Sequence, residues 1–302
     1  MSIIDNIIRP KSKLQIMMRV LIIFVFFVSI LPFDKPDVIA QEPDKPHTVY
    51  LPVVSKNYEE WLDLFNQYRV AAGLNPVTSN ADYNYGLRLH TTYMLLNPLS
   101  DMHVEDPNKP GYTLLGAEAG RQSNMISLLG ATYLTTKQSI DLWMATPKHR
   151  YNMLHPDITE SGFSLSCDST NCFSGLNVLG SLPLSYQYSN KNVIYPAENQ
   201  TGIPPTKYPI TWSFYMAWTS KSQDSNEVQL IENLTQIIDS NKKSVPFDFF
   251  EPDNSNGSYD TYNQVVIIPK ENLLPNHQYK VEMTTSINQE VLTRIWYFTT
   301  SP

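Results

Sequence analysis

The period of the apolar side chains changes once along this chain, and that change limits what it can fold into. In EEWLDLFNQYRVAAG the apolar positions Trp61, Phe65, Tyr68 and Ala72 fall four, three and four apart, the spacing of one helix face. After about residue 190 the helical period is gone. PITWSFYMAW, NEVQLIE, QVVIIP, QYKVEMTTS and RIWYFTT are short β-rich runs separated by turn-forming residues, a pattern that predicts a β-sandwich. Helices first and antiparallel strands later make the fold class α+β.

Local signals place the elements of the first part. Gly73 sits where a helix C-cap is expected. A second helix is expected to start at Ser79 or Asn80, both good N-caps. It carries Tyr83, Leu87, His90 and Met94 on one stripe and ends at Asn97-Pro98. Leu99 to Gln122 reads as irregular and polar. A third helix is expected within Asn124–Tyr133, and a fourth, capped by Thr135 or Thr136, runs through KQSIDLWMAT to Pro147. HRYNML then reads as a turn. ESGFSLSC alternates like a strand, and FSGLNVLG reads as its return partner, with Cys167 and Cys172 at the hairpin. Residues 181–210, rich in Pro, Ser, Tyr and Asn, read as a boundary, with SLPLSYQYS open as one more strand of the first domain.

The N-terminus reads as a signal for export. Arg9, Lys11, Lys13 and Arg19 precede an apolar run from Val20 to Phe33, shorter than the roughly 20 residues of a membrane span. Val38-Ile39-Ala40 before Gln41 resembles a cleavage site, which makes residues 1–40 a signal peptide; an uncleaved anchor is the alternative. Residues 41–57, with three prolines, read as a linker or an edge strand laid on the domain. Removing residues 1–40 takes away five basic and three acidic residues and leaves 17 against 26, a net charge of −9. Such a chain lacks the basic face that nucleic acid requires. In an oxidising compartment Cys167 and Cys172 are expected to pair; two free thiols are the alternative. No GxSxG elbow, phosphate-binding glycine loop or HExxH pair is present. Trp212, Phe214, Tyr215 and Trp218 read as sandwich core in preference to a carbohydrate platform, because their run is too unbroken for an exposed face.

Several ordered stretches carry a resemblance to a known family. LFNQYRVAAGLNPV is similar to the opening helix of bacterial CAP domains (cysteine-rich secretory, antigen 5, pathogenesis-related class 1; also called SCP domains). SDMHVED then supplies a loop His, His103, and GYTLLGAEAG resembles the family's GY…GEN segment with Glu118 at the glutamate. DLWMATPKHRYNMLHPDITESGFSL resembles the family's most specific stretch, with Trp143, His149, Arg150, Asn152, Leu154, Pro156, Glu160 and Gly162 in place. The resemblance implies an α-β-α sandwich over residues 58–190. Residues 191–302 resemble bacterial Ig-like domains.

The resemblance also implies that His103, Glu118 and His149 converge in a solvent-filled cleft, the candidate catalytic or binding set. His103 and His149 are then candidate ligands for zinc or another divalent metal, with Glu118 able to orient a bound water or act as a base. Without the family, His103 reads as a surface histidine and His149 as a helix-end cap. The pattern departs in two places: the Asn of GEN is Ala119, and no acidic residue follows Trp143, Asp141 lying just before it. The implied function is therefore a secreted, extracellular binding module for a lipid, a sterol or a protein; whether it is an enzyme stays open, with these departures leaning against it. The alternatives are a metal-dependent hydrolase or peptidase using the His and Glu side chains, and a purely structural adhesion protein. Of the remaining candidates, His90 reads as a core histidine, Arg150 and Glu160 as ion-pairing residues of the fold, and Glu105 and Asp106 as solvated loop charges. His155 is expected to pack beside Pro156, and His277 to lie in a turn.

Overall fold

The computed structural model describes residues 60–184, 187–216, 228–252, 263–287 and 290–302. The expected signal peptide (1–40), the linker (41–57) and Trp218 lie outside the described residues. Five α-helices are described: α1 (Glu60–Ala71), α2 (Ala81–Leu96), α3 (Leu114–Arg121), α4 (Thr136–Ala145) and α5 (Pro147–Met153). None of the described helices is long and apolar enough to cross a membrane.

The helix ends follow from side-chain chemistry. Asn80 caps α2, its side chain accepting from the N–H groups of Asp82 and Tyr83. Thr135 and Gln138 form a reciprocal capping box on α4. Gly73 follows α1 at φ +74°, the left-handed conformation that glycine adopts without a Cβ penalty. α1 buries Trp61 and Phe65 as the period requires, and also the charged Arg69. The Arg69 guanidinium donates to the carbonyls of Asn75, Met153, His155 and Ile158. Burial holds its pKa down at about 10.

Strands β2 (Ser123–Leu129), β4 (Phe163–Cys167) and β5 (Asn171–Asn177) form an antiparallel sheet in the order β2-β5-β4. β1 (Thr78–Ser79) pairs in parallel with β3 (Glu160–Ser161). Successive side chains of β4 point to opposite faces. On one face Phe163 stacks on Trp61 and meets Trp143 of α4 edge-on. On the other face Ser164 and Ser166 hydrogen-bond Thr91 of α2. Helices therefore cover both faces of this sheet. Cys167 and Cys172 are bonded at the β4–β5 hairpin, where they sit opposite one another.

The second part holds two sheets. One is ordered β11 (Phe247–Phe250), β12 (Gln264–Pro269), β8 (Ile210–Tyr215), β6 (Lys191–Tyr195). The other is ordered β10 (Gln236–Asp239), β13 (Gln278–Ile287), β14 (Glu290–Thr300), β7 (Gln200–Ile203), with β9 (Val228–Leu230) also on β13. Neighbours are antiparallel except β7 and β14, which are parallel. All six residues of β8 are buried, so Trp212, Phe214 and Tyr215 are core, as their unbroken run predicts. One buried apolar cluster continues from Trp61 through Trp143 to Trp212, Val281 and Phe298.

Several expectations are corrected here. The helix expected in Asn124–Tyr133 is strand β2, because a short apolar run does not reveal its period and pairing with β5 decides it. The helix lies earlier, at α3, inside the stretch read as irregular; two glycines in eight residues mask its propensity. HRYNML is not a turn but most of α5, opened by Pro147 at a position where its missing N–H costs nothing. The stretch read as a boundary, 181–210, contains β6 and β7, and no described residue of SLPLSYQYS is in a strand. Arg150 holds the fold without an ion pair in the described residues: its guanidinium donates to the carbonyls of Met144 and Pro209 and lies between the rings of Tyr195 and Tyr208. Glu160 likewise accepts from the Asn80 amide. Glu105 is not solvated but 4% exposed.

Candidate functional site

The loop before α3 carries His103 of the candidate set, and α3 itself carries Glu118. α3 crosses α2 closely: a Cβ on Gly86 would meet the Ala119 Cβ at 3.1 Å and the Leu115 carbonyl at 3.2 Å. The loop from Leu99 to Thr113 carries His103, whose backbone N–H donates to Asp101 at 2.7 Å. The His103 Nδ1 lies 3.0 Å from the carbonyl oxygen of Gly120 in α3. A carbonyl only accepts, so Nδ1 donates the proton in that contact.

His149 comes from α5. Its backbone carbonyl accepts from the Asn124 amide at 3.0 Å, and Asn124 in turn accepts from Asn152. Asn152, one of the motif residues, thus secures the His149 backbone through β2. The His149 Nδ1 is buried without a hydrogen-bond partner. Burial lowers the His149 pKa to about 4, and the nearby His103 and Lys148 push in the same direction. The imidazole is neutral at physiological pH, and its field of influence includes His103.

Glu118 stands differently. It faces out from α3, and its two carboxylate oxygens accept from Arg121 and Gln122, both at 2.6 Å. With 53% of its side chain exposed, such a pair adds little stability, but it occupies both oxygens. Among the described residues no group of three or more His, Cys, Asp or Glu side chains is arranged to hold a metal ion. The donor chemistry that remains is two imidazoles, one with an orphaned buried nitrogen. That set fits a divalent cation held by two side chains, its other positions open to water or ligand.

His90 lies fully buried between Glu105 and the Met102 carbonyl. It is a core histidine, as its place on the α2 stripe predicts. His155 is also buried, but its ring meets Tyr188 and Tyr215 edge-on, and burial lowers its pKa to about 4. His277 sits just before β13, bonded to Pro275. Sequence reasoning missed Gly116, Gly120, Asn124 and the partnership of His90 with Glu105. The spacing of four between Gly116 and Gly120 was the one available signal, since it puts both on one helix face.

The loop and the first turn of α3 also carry exposed apolar side chains. Leu99, Val104, Leu114 and Leu115 are all more than half exposed.

Comparison with known proteins adds a family to this geometry. Residues 62–181 match the model of the cysteine-rich secretory protein family, CAP. No curated protein matches the sequence. Among solved structures, an outer surface protein from Borrelia burgdorferi is similar at 10% identity and a TM-score of 0.32, over 41% of this chain and 94% of that one. An extracellular protein containing a SCP domain from Bacillus anthracis str. Ames is similar at 17% identity and a TM-score of 0.28, over 40% of each chain.

Proposed function

We propose, taking residues 62–181 as a domain of the cysteine-rich secretory protein family, that this is a secreted binding protein whose cleft is organised by His103 and His149. The observation that carries the reading is the state of the two rings. His149 is held neutral and has a buried nitrogen without a partner, and His103 donates through Nδ1. A neutral imidazole offers a lone pair that can hold a metal ion or a ligand's hydrogen-bond donor. A divalent cation such as zinc would be held by these two side chains and would supply a Lewis-acidic contact for a ligand. A hydrolase would need a free carboxylate, and Glu118 is engaged by Arg121 and Gln122.

The exposed apolar side chains of the loop and α3 support a ligand with an apolar surface, a lipid, a sterol or a protein face. The Cys167–Cys172 bond supports an oxidising compartment, in keeping with a signal peptide at residues 1–40. The helix-covered sheet fits the α-β-α sandwich of the family, and the four- and five-stranded sheets fit an Ig-like sandwich over residues 191–302.

The test is a calorimetric titration of residues 41–302 with zinc or Co²⁺ at pH 7.5, beside the His103→Ala/His149→Ala double variant. One-to-one uptake by the wild type that is lost in the folded double variant is the expected result. Equal uptake by both, or none by either, would end the cation-binding reading.

A further inference from the structure

We infer that the buried His90–Glu105 pair is the positioning device of the cleft: it holds both the loop that carries His103 and the helix carbonyl that orients the His103 ring, and so sets how tightly the cleft holds a divalent cation. The inference rests on the reading of His103 and His149 as a cation-binding pair.

The geometry is specific. The His90 Nε2 is 2.8 Å from the carbonyl oxygen of Met102, the residue immediately before His103. Because a carbonyl only accepts, that nitrogen must donate. The other ring nitrogen, Nδ1, is 2.9 Å from Glu105 Oε1, and both side chains are wholly buried. One proton lies in that contact whichever atom carries it. The second Glu105 oxygen accepts from the backbone N–H of Thr113, the N-cap of α3. Glu105 therefore ties the end of the His103 loop to both α2 and the start of α3.

α3 is shaped around the pair. A Cβ on Gly116 would come within 2.4 Å of Glu105 Oε1, and one on Gly120 within 2.4 Å of His90 Cε1. Real Cβ atoms do not approach so closely, so a side chain at either position would force Glu105 or His90 to shift. Gly120 is also the residue whose carbonyl accepts from His103 Nδ1. His90 thus touches both fixings of His103: the Met102 carbonyl on one side and the Gly120 backbone on the other. This is the relation of an outer-shell group to a ligand, in which the ring orientation is set from behind. Since the pair is buried, it does not itself meet a ligand in the cleft.

The test compares wild type, Glu105→Ala and Glu105→Gln, with Ile237→Ala as a destabilised control. Ile237 is a core residue of β10, in a different sheet from the cleft. Two quantities are read: the Co²⁺ dissociation constant at pH 7.5, and amide hydrogen exchange over residues 101–106. Glu105→Ala is expected to weaken Co²⁺ binding by about 10–100-fold, the usual effect of losing an outer-shell partner, and to expose the loop amides to exchange. Glu105→Gln is expected to stay within about threefold of wild type. Its amide can donate to His90 Nδ1 while its carbonyl oxygen accepts from Thr113, so the hydrogen bonds survive the loss of charge. Ile237→Ala is expected to leave both readouts unchanged.

A folded Glu105→Ala protein with wild-type affinity and wild-type loop exchange would overturn the inference. So would an equal loss of affinity in Ile237→Ala, which would reduce the effect to general stability. If Glu105→Ala does not fold, Glu105→Asp, one methylene too short to reach both partners, takes its place. A wild type that takes up no Co²⁺ overturns the cation reading, and with it the affinity claim. Loop exchange then decides separately whether the pair holds the His103 loop.

Discussion

Two buried histidines set how this protein should respond to acid. Burial lowers both His149 and His155 to about 4 from an ordinary 6.5; for His155 the neighbouring Asp157 opposes the shift and Arg69 adds to it. Between those values the unfolded chain binds protons that the folded chain refuses, so unfolding gains on acidification. Stability from this source is complete above about pH 6.5 and declines as the pH falls toward 4, by on the order of 1–3 kcal/mol for each ring. Thermal melts between pH 7.5 and 4 should show the decline, and His155→Gln should remove about half of its pH dependence. A profile equally steep in that variant would mean that other groups carry the effect. At this scale the sequence reveals the residue type but not the burial. Glu105 and His155 look like ordinary loop residues until the chain closes over them.

The short helix α3 shows how packing overrides propensity. Replacing a mid-helix glycine by alanine ordinarily gains about 1 kcal/mol. At Gly120 the new methyl would collide with the His90 ring, and overpacking of this kind costs about 1–3 kcal/mol. His90 is fully buried and bonded at both nitrogens, so it has little room to yield. Gly120→Ala should therefore lower stability despite the helical gain, as urea denaturation at neutral pH would report. A more stable variant would show that the ring can move aside. The same two glycines explain why α3 is hidden in the sequence while α1 and α4 are plain. α1 and α4 combine an apolar period with clear caps, whereas α3 exists because α2 offers a surface on which only a small-residue face fits.

At the scale of the whole molecule, Arg150 joins the helical part to the sheets. It is 1% exposed, donates to Met144 behind it and to Pro209 ahead of it, and is enclosed by Tyr195 and Tyr208. Tyr151 and Tyr215 bond across the same junction, each hydroxyl donating to the other segment's backbone. Arg150→Met keeps the bulk but leaves the carbonyls of Met144 and Pro209 without this donor. Met144 keeps the Tyr208 hydroxyl as a donor, so the orphan is the Pro209 carbonyl, and the variant should lose about 1–3 kcal/mol. Because one apolar cluster runs from Trp61 to Phe298, wild-type residues 60–302 should unfold in a single transition. Calorimetry would detect it, and two transitions in the wild type would show that the junction does not couple the parts.

The sequence by itself determined the elements whose signals are local. Period and caps fix α1, α2 and α4, and alternation and turn residues fix the β4–β5 hairpin with its cysteine pair. These survive because each depends on neighbours within a turn or two of the chain. Tertiary structure alone decided the rest. β2 became a strand by pairing with β5, and α3 a helix by fitting against α2. His90 was matched to Glu105 across a loop. In each case the deciding energy is a contact or a loss of solvent made only on closure, and neither is written in the residue type.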